Sequence, residues 1–169
     1  MDKFLLNLIH RNMNNKSKIA VVCISTDRFL FDAYGPLVGY LLKTKYKLDR
    51  YVQVLGDMKN PVHALNLKEV VENLNKEDML VIAVDAAITR RKDMHRAVEI
   101  IEGPIKPGTA VRKDLPLVGN IFIKGLIYAR NIFVKEPVVT FTEIAEMAER
   151  TAGAINRAVG AYIVETKVV

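Results

Sequence analysis

Two short apolar runs, each followed by a stretch of helical spacing, constrain this chain more than any other feature. Residues 18–24 (Lys-Ile-Ala-Val-Val-Cys-Ile) and 79–84 (Met-Leu-Val-Ile-Ala-Val) are apolar on both alternating faces beyond Lys18. Such runs suit strands buried on both sides of a sheet. From Asp32 the spacing changes: Leu37, Val38, Leu41 and Leu42 line one helical face, with Pro36 where a first turn tolerates it. Residues 51–55 read as another strand. Residues 66–75 read as a helix opened by Asn66, with Glu69 at the capping-box position. The strand, helix, strand, helix, strand order predicts parallel strands joined by right-handed crossovers, hence an α/β fold with a mostly parallel sheet. The third strand is expected to stop at Asp85.

Flanking segments complete the expectation. Residues 1–14 place Phe4, Leu5, Leu8 and Ile9 at amphipathic helical spacing. Residues 97–101 and 120–127 read as further strands around a long Gly/Pro-containing loop, 103–119, and loops of that length are often functional. Residues 140–159 carry Ile144, Met147, Ala148, Thr151, Ala152 and Ile155 on one stripe, with Thr140 or Thr142 as the cap. The 169 residues, half of them hydrophobic with only nine Gly and six Pro, suit one domain spanning 1–169 and exclude a disordered or low-complexity chain.

The net charge of +6 is spread along the chain without a basic run interleaved with aromatics, so no nucleic-acid partner is expected. A lone cysteine, Cys23, excludes an internal disulfide framework and a four-cysteine zinc site, which fits a reducing cytoplasm. No stretch approaches the ~20 apolar residues of a membrane span, so no membrane partner is expected.

In an open α/β sheet, ligands gather at the carboxyl ends of the parallel strands. The first strand's loop supplies Ser25, Thr26, Asp27, Arg28 and Asp32; the second strand's loop brings His63; the third strand delivers Asp85. Two carboxylates in one low-dielectric cleft cannot both ionise cheaply, so Asp32 and Asp85 can divide acid and base roles, and a shared proton requires direct or one-water reach. The structural alternatives are a helix N-cap for Asp32 and a strand-end acceptor for Asp85. Ser17 and Ser25 lack a nucleophile-elbow context, Cys23 reads as a buried inert thiol, and phosphate-loop and dinucleotide patterns are absent. No cofactor is expected.

The blocks Phe31-Asp32-Ala33-Tyr34-Gly35-Pro36-Leu37-Val38-Gly39, Asn60-Pro61-Val62-His63-Ala64-Leu65-Asn66-Leu67, Val84-Asp85-Ala86, Gly103-Pro104-Ile105-Lys106-Pro107-Gly108 and Leu115-Pro116-Leu117-Val118-Gly119 resemble, in order, the YyaC-type spore protease family. That family is similar to the germination protease and to the hydrogenase maturation endopeptidases. The resemblance implies a three-layer α/β/α, phosphorylase/hydrolase-like fold and an endopeptidase of sporulation or germination. It implies Asp32 and Asp85 as catalytic residues and Thr26, Asp27, His63, Lys106 and Lys113 as substrate contacts. It further implies a protein or peptide substrate such as the small acid-soluble spore proteins, a forespore or spore-core location, and room for a homo-oligomer. The maturation endopeptidases carry nickel ligands at the two aspartate positions plus a later histidine. Here the later loop offers Lys106, Arg112 and Lys113, and His10 and His95 fall in helix-like or charged segments, so no metal is expected. The chain departs from the family at Ser25 (usually Gly), 87–89 (usually Cys-Leu-Gly), Thr109-Ala110 (usually Ala-Gly), Asn120 (usually Asp) and Lys124 (usually Thr). It also lacks the Asn-Val-Ser-Gly stretch after Gly125. These departures leave a second reading, a non-catalytic sporulation protein that binds a peptide or partner in the same cleft, and the resemblance leaves a third, a hydrogenase-maturation-type processing peptidase.

Overall fold

Alternation of 2.0- and 3.6-residue periods produces nine regular elements in the computed structural model, which describes residues 1–14, 16–76, 78–107, 115–129 and 139–167. They are α1 (Asp2–Asn12), β1 (Lys18–Cys23), α2 (Tyr34–Thr44), β2 (Gln53–Leu55), α3 (Leu67–Lys76), β3 (Met79–Thr89), β4 (Val98–Glu102), β5 (Ile121–Tyr128) and α4 (Phe141–Lys167). The strands form one sheet in the order β2-β1-β3-β5-β4. All neighbours are parallel except β4, which returns antiparallel to β5. The central strands β1 and β3 run Lys18 against Met79 through Cys23 against Val84, and both are buried.

Because side chains alternate across a strand, each central strand feeds two cores. Val21 and Cys23 of β1 and Leu80, Ile82 and Val84 of β3 pack with Leu5, Val38, Leu42, Ile144 and Ile155 of α1, α2 and α4. Ala20 and Val22, with Val81 and Ala83, pack on the opposite face against Leu67 and Leu74 of α3. The result is a three-layer α/β/α arrangement, in which each fully buried Leu or Ile contributes about 1.5–3 kcal/mol of transfer free energy. Among the described residues, no helix is long and apolar enough to cross a membrane.

α4 is 27 residues long. It opens with a reciprocal cap: the Thr140 hydroxyl accepts the Glu143 N–H at 3.2 Å, and the Glu143 carboxylate accepts the Thr140 N–H at 2.8 Å. Its far end holds α1, through Arg157 to Asp2 and His10 to Glu165 and through the edge of the His10 ring on Tyr162.

Three expectations change. β3 does not stop at Asp85 but continues to Thr89, because β5 pairs with it as far as Thr89 against Tyr128. The last helix runs beyond 159 to Lys167, since Tyr162 and Ile163 still pack on the core. Asn66 does not cap α3 with its side chain; it turns back into the preceding loop, accepting the His63 N–H and donating to the Pro61 carbonyl. The base of the long loop is tied by an Ile105–Val118 bridge.

Candidate functional site

Asp32 and Asp85 are delivered to the carboxyl end of the sheet by different devices. β1 makes its last bond to β3 where the Ile24 N–H donates to the Val84 carbonyl at 2.8 Å. Ser25 then adopts φ +112°, a conformation that favours glycine, and turns the chain off the sheet. The physical meaning of the usual glycine at this position is therefore visible, and Ser25 occupies it under strain. The chain returns through a single 3₁₀ turn, Leu30–Ala33, that carries Asp32. α2 starts directly afterwards against the end of β1. A Cβ on Gly35 would stand 2.2 Å from the Ile24 carbonyl oxygen, so only glycine allows this approach. Tyr34 anchors the turn from below: it is fully buried, shares a 2.8 Å hydrogen bond with the Thr151 hydroxyl, and lies against Gly125, where a Cβ would be 2.6 Å from its ring.

Asp32 is not a helix cap. The N-cap of α2 is Ala33, with no side-chain cap bond, and the Asp32 carboxylate instead receives the Ser25 hydroxyl. Its half-buried setting raises its pKa to about 6, desolvation outweighing the Ser25 bond. Asp85 is the first residue of β3 past the last β1 pair, Cys23 against Val84. Its Oδ1 accepts the N–H of Ala86 at 2.8 Å. Desolvation raises Asp85 to about 8 despite that bond, and the negative charge of Asp32 adds to the rise. The two carboxyl groups thus sense one another electrostatically, yet among the described residues no hydrogen bond joins them; each has its own donor. A direct hydrogen bond between the two is thus not made among the described residues, and each carboxyl group is held by a separate partner.

The other predicted contacts surround this pair unequally. Thr26 is half-buried and Asp27 exposed, both just past the Ser25 turn. The Ser25 N–H donates to the Val62 carbonyl at 2.8 Å, which docks the His63 loop beside β1. His63 is half-buried and its Nδ1 accepts the Leu65 N–H at 3.3 Å, which leaves the proton on Nε2; no hydrogen bond links it to either aspartate. Lys106 is exposed beside the Ile105–Val118 bridge. Lys113 lies outside the described residues, as do Arg112 and the Thr109-Ala110 departure.

Register gives places to residues the sequence marked only as departures, or not at all. Lys124 of β5 is the direct neighbour of Asp85, and Glu99 of β4 is the neighbour of Lys124. The Lys124 ammonium pairs with Glu99 at 2.5 Å. A third acid, Asp57, is buried in the loop after β2: it accepts the Lys59 and Asn60 N–H groups and pairs with Lys43 at 2.6 Å, and against its desolvation those contacts together hold its carboxyl below the usual range. The signal for it, an acid beside Gly56, was weak. Asn120 serves the sheet, its Oδ1 accepting the Val81 N–H.

The potential metal donors are engaged elsewhere or stand apart. His10 is paired with Glu165, and His95 accepts the Tyr128 N–H while facing Glu143, far along the chain from the pair. Among the described residues no three His, Cys, Asp or Glu side chains converge, so the set does not fit nickel or zinc.

Comparison with known proteins places this geometry in context. The sequence model of the family described as "Protein of unknown function (DUF1256)" matches residues 1–153. The uncharacterized protein YyaC of Bacillus subtilis (strain 168) is 45% identical over 111 residues, which are 64% of this chain and 53% of YyaC. The chain therefore spans about half the length of that curated relative. A [NiFe] hydrogenase maturation protease, HycI from Thermococcus kodakarensis KOD1, superposes with a TM-score of 0.57 and 22% identity, over 90% of this chain and 99% of HycI. At that identity the likeness shows the fold.

Proposed function

The chain belongs to the DUF1256 family, and we propose that it is an aspartate-dependent endopeptidase that processes or degrades a protein substrate. One observation carries this reading: two carboxyl groups stand at the carboxyl end of the sheet, both raised by desolvation, Asp32 to about 6 and Asp85, beside the charge of Asp32, to about 8. At neutral pH Asp32 is then mostly the carboxylate and Asp85 mostly the acid. Separated affinities of this kind define a base and an acid.

In the proposed reaction Asp32 takes a proton from water as the water oxygen bonds to the scissile carbonyl carbon. Asp85 donates its proton to the carbonyl oxygen. When the tetrahedral intermediate collapses, the C–N bond breaks, Asp32 passes its proton to the leaving nitrogen, and Asp85 regains one from the diol. Ser25 orients the base and Ala86 N–H orients the acid. The fold shared with HycI, itself a maturation protease, supports a processing peptidase. The Bacillus relative and the resemblance to the germination protease support a sporulation setting, with small acid-soluble spore proteins as the first substrates to try.

The test is cleavage of those proteins and of a peptide library by wild type, Asp32→Asn and Asp85→Asn, with thermal melting in parallel. Cleavage by wild type, lost in both folded variants, is expected. Undiminished cleavage by both variants overturns the mechanism, and no cleavage by wild type on any substrate favours a peptide-binding protein using the same cleft.

A further inference from the structure

Among the described residues, β3 is paired on one side only from Asp85 onward. The Ile24 N–H reaches the Val84 carbonyl on the β1 side, whereas the Ala129 N–H reaches the Thr89 carbonyl on the β5 side. Backbone groups alternate sides with a period of two, so Asp85, Ala87 and Thr89 face β5 while Ala86 and Ile88 face the side that β1 has left. The Ala86 N–H is taken by Asp85 Oδ1. The Ala86 carbonyl and both backbone groups of Ile88 meet no partner among the described residues. This gap is created by Ser25, whose φ of +112° removes β1 one residue after its last bond. Exposed apolar side chains lie on the elements that meet there: Ile88 itself is 38% exposed, and Phe29 and Leu30, before and at the start of the turn that carries Asp32, are 46% and 38% exposed. The turn packs against β3.

We propose that the open edge of β3 between Ala86 and Ile88 receives an extended segment of the protein substrate, which adds as a strand in the line β1 vacates and so lies across Asp85 and Asp32. The proposal rests on the peptidase reading and deepens it by naming how the substrate is held. Main-chain hydrogen bonds supply the grip, and alternate side chains of the substrate meet Ile88, Phe29 and Leu30. The preferred segment is unfolded and β-prone, free of proline at the paired positions.

The probe is an acetylated, amidated hexapeptide of alternating Val and Thr, titrated into isotope-labelled Asp85→Asn protein and followed by amide exchange. Binding is expected to slow exchange at Ile88 N–H and leave Ala87 N–H, already bonded to β5, unchanged. Methylating the peptide nitrogen at every second bond should weaken binding about tenfold or more, and methylation at the intervening bonds should not. Ile88→Pro, which removes the N–H facing the open edge together with the Ile88 side chain and leaves the β5 ladder its donors, should abolish binding in a folded protein, and Ile88→Ala, which keeps the N–H, should weaken it less. If that variant does not fold, the methylated series gives the same readout. Equal affinity for all methylated peptides, shifts centred elsewhere, or a concentration-dependent dimer that protects Ile88 without peptide would each overturn the proposal. Binding with no catalysis in wild type refutes the peptidase alone; catalysis with no edge binding refutes the edge alone.

Discussion

Replacing Asp85 by Asn is expected to stabilise the protein, increasingly so as pH rises. In the unfolded chain Asp85 titrates near the ordinary carboxylate value, whereas in the folded protein it holds its proton up to about 8. Between those two values the native state binds a proton that the unfolded state lacks, so wild-type stability falls with pH across the interval. Full desolvation over that interval would cost about 6 kcal/mol at ~1.4 kcal/mol per pH unit. The half-buried residue keeps contact with water, which reduces the cost to about 2–3 kcal/mol. Asn keeps the Oδ1 that accepts the Ala86 N–H and carries no charge to desolvate. Urea unfolding of wild type and Asp85→Asn at pH 4, 6 and 9 should show a gap near zero at the lowest pH that opens to its full size by pH 9. A gap that does not change with pH refutes the raised carboxyl, and with it the acid assigned to the reaction. The variant should gain this stability while losing cleavage.

Two further outcomes follow from the turn that presents Asp32. Ser25→Gly relieves a φ of +112° and should raise the melting temperature by the equivalent of about 1 kcal/mol, while loss of the hydroxyl should move the acidic limb of the activity profile to higher pH. Gly35→Ala places a Cβ 2.2 Å from the Ile24 oxygen and should cost about 1–3 kcal/mol in chemical denaturation, with a loss of activity beyond that explained by unfolding.

The parallel core was legible because β1 and β3 are apolar on both faces, a pattern few other structures explain. Asp32 and Asp85 were legible as candidates because polar residues follow those runs immediately. The continuation of β3 was not, because Ala87, Ile88 and Thr89 after an aspartate look like a loop until β5 is seen to pair with them. The Ser25 turn was visible only as a departure from a usual glycine; its cause is a backbone angle, which sequence does not display. The Lys124–Glu99 pair beside Asp85 depends on register between strands far apart in the chain, and local spacing carries no such information.

The packing of α1 on the far end of α4 has a consequence for synthesis. Leu5, Leu8 and Ile9, all buried in the finished molecule, lie against a helix much later in the sequence, whose Arg157 and Glu165 hold Asp2 and His10. During translation, at about 5–20 residues per second, α1 is made well before α4. In that interval its apolar stripe stays uncovered. A factor that shields nascent apolar helices will therefore find a target in α1 and will be displaced when α4 arrives.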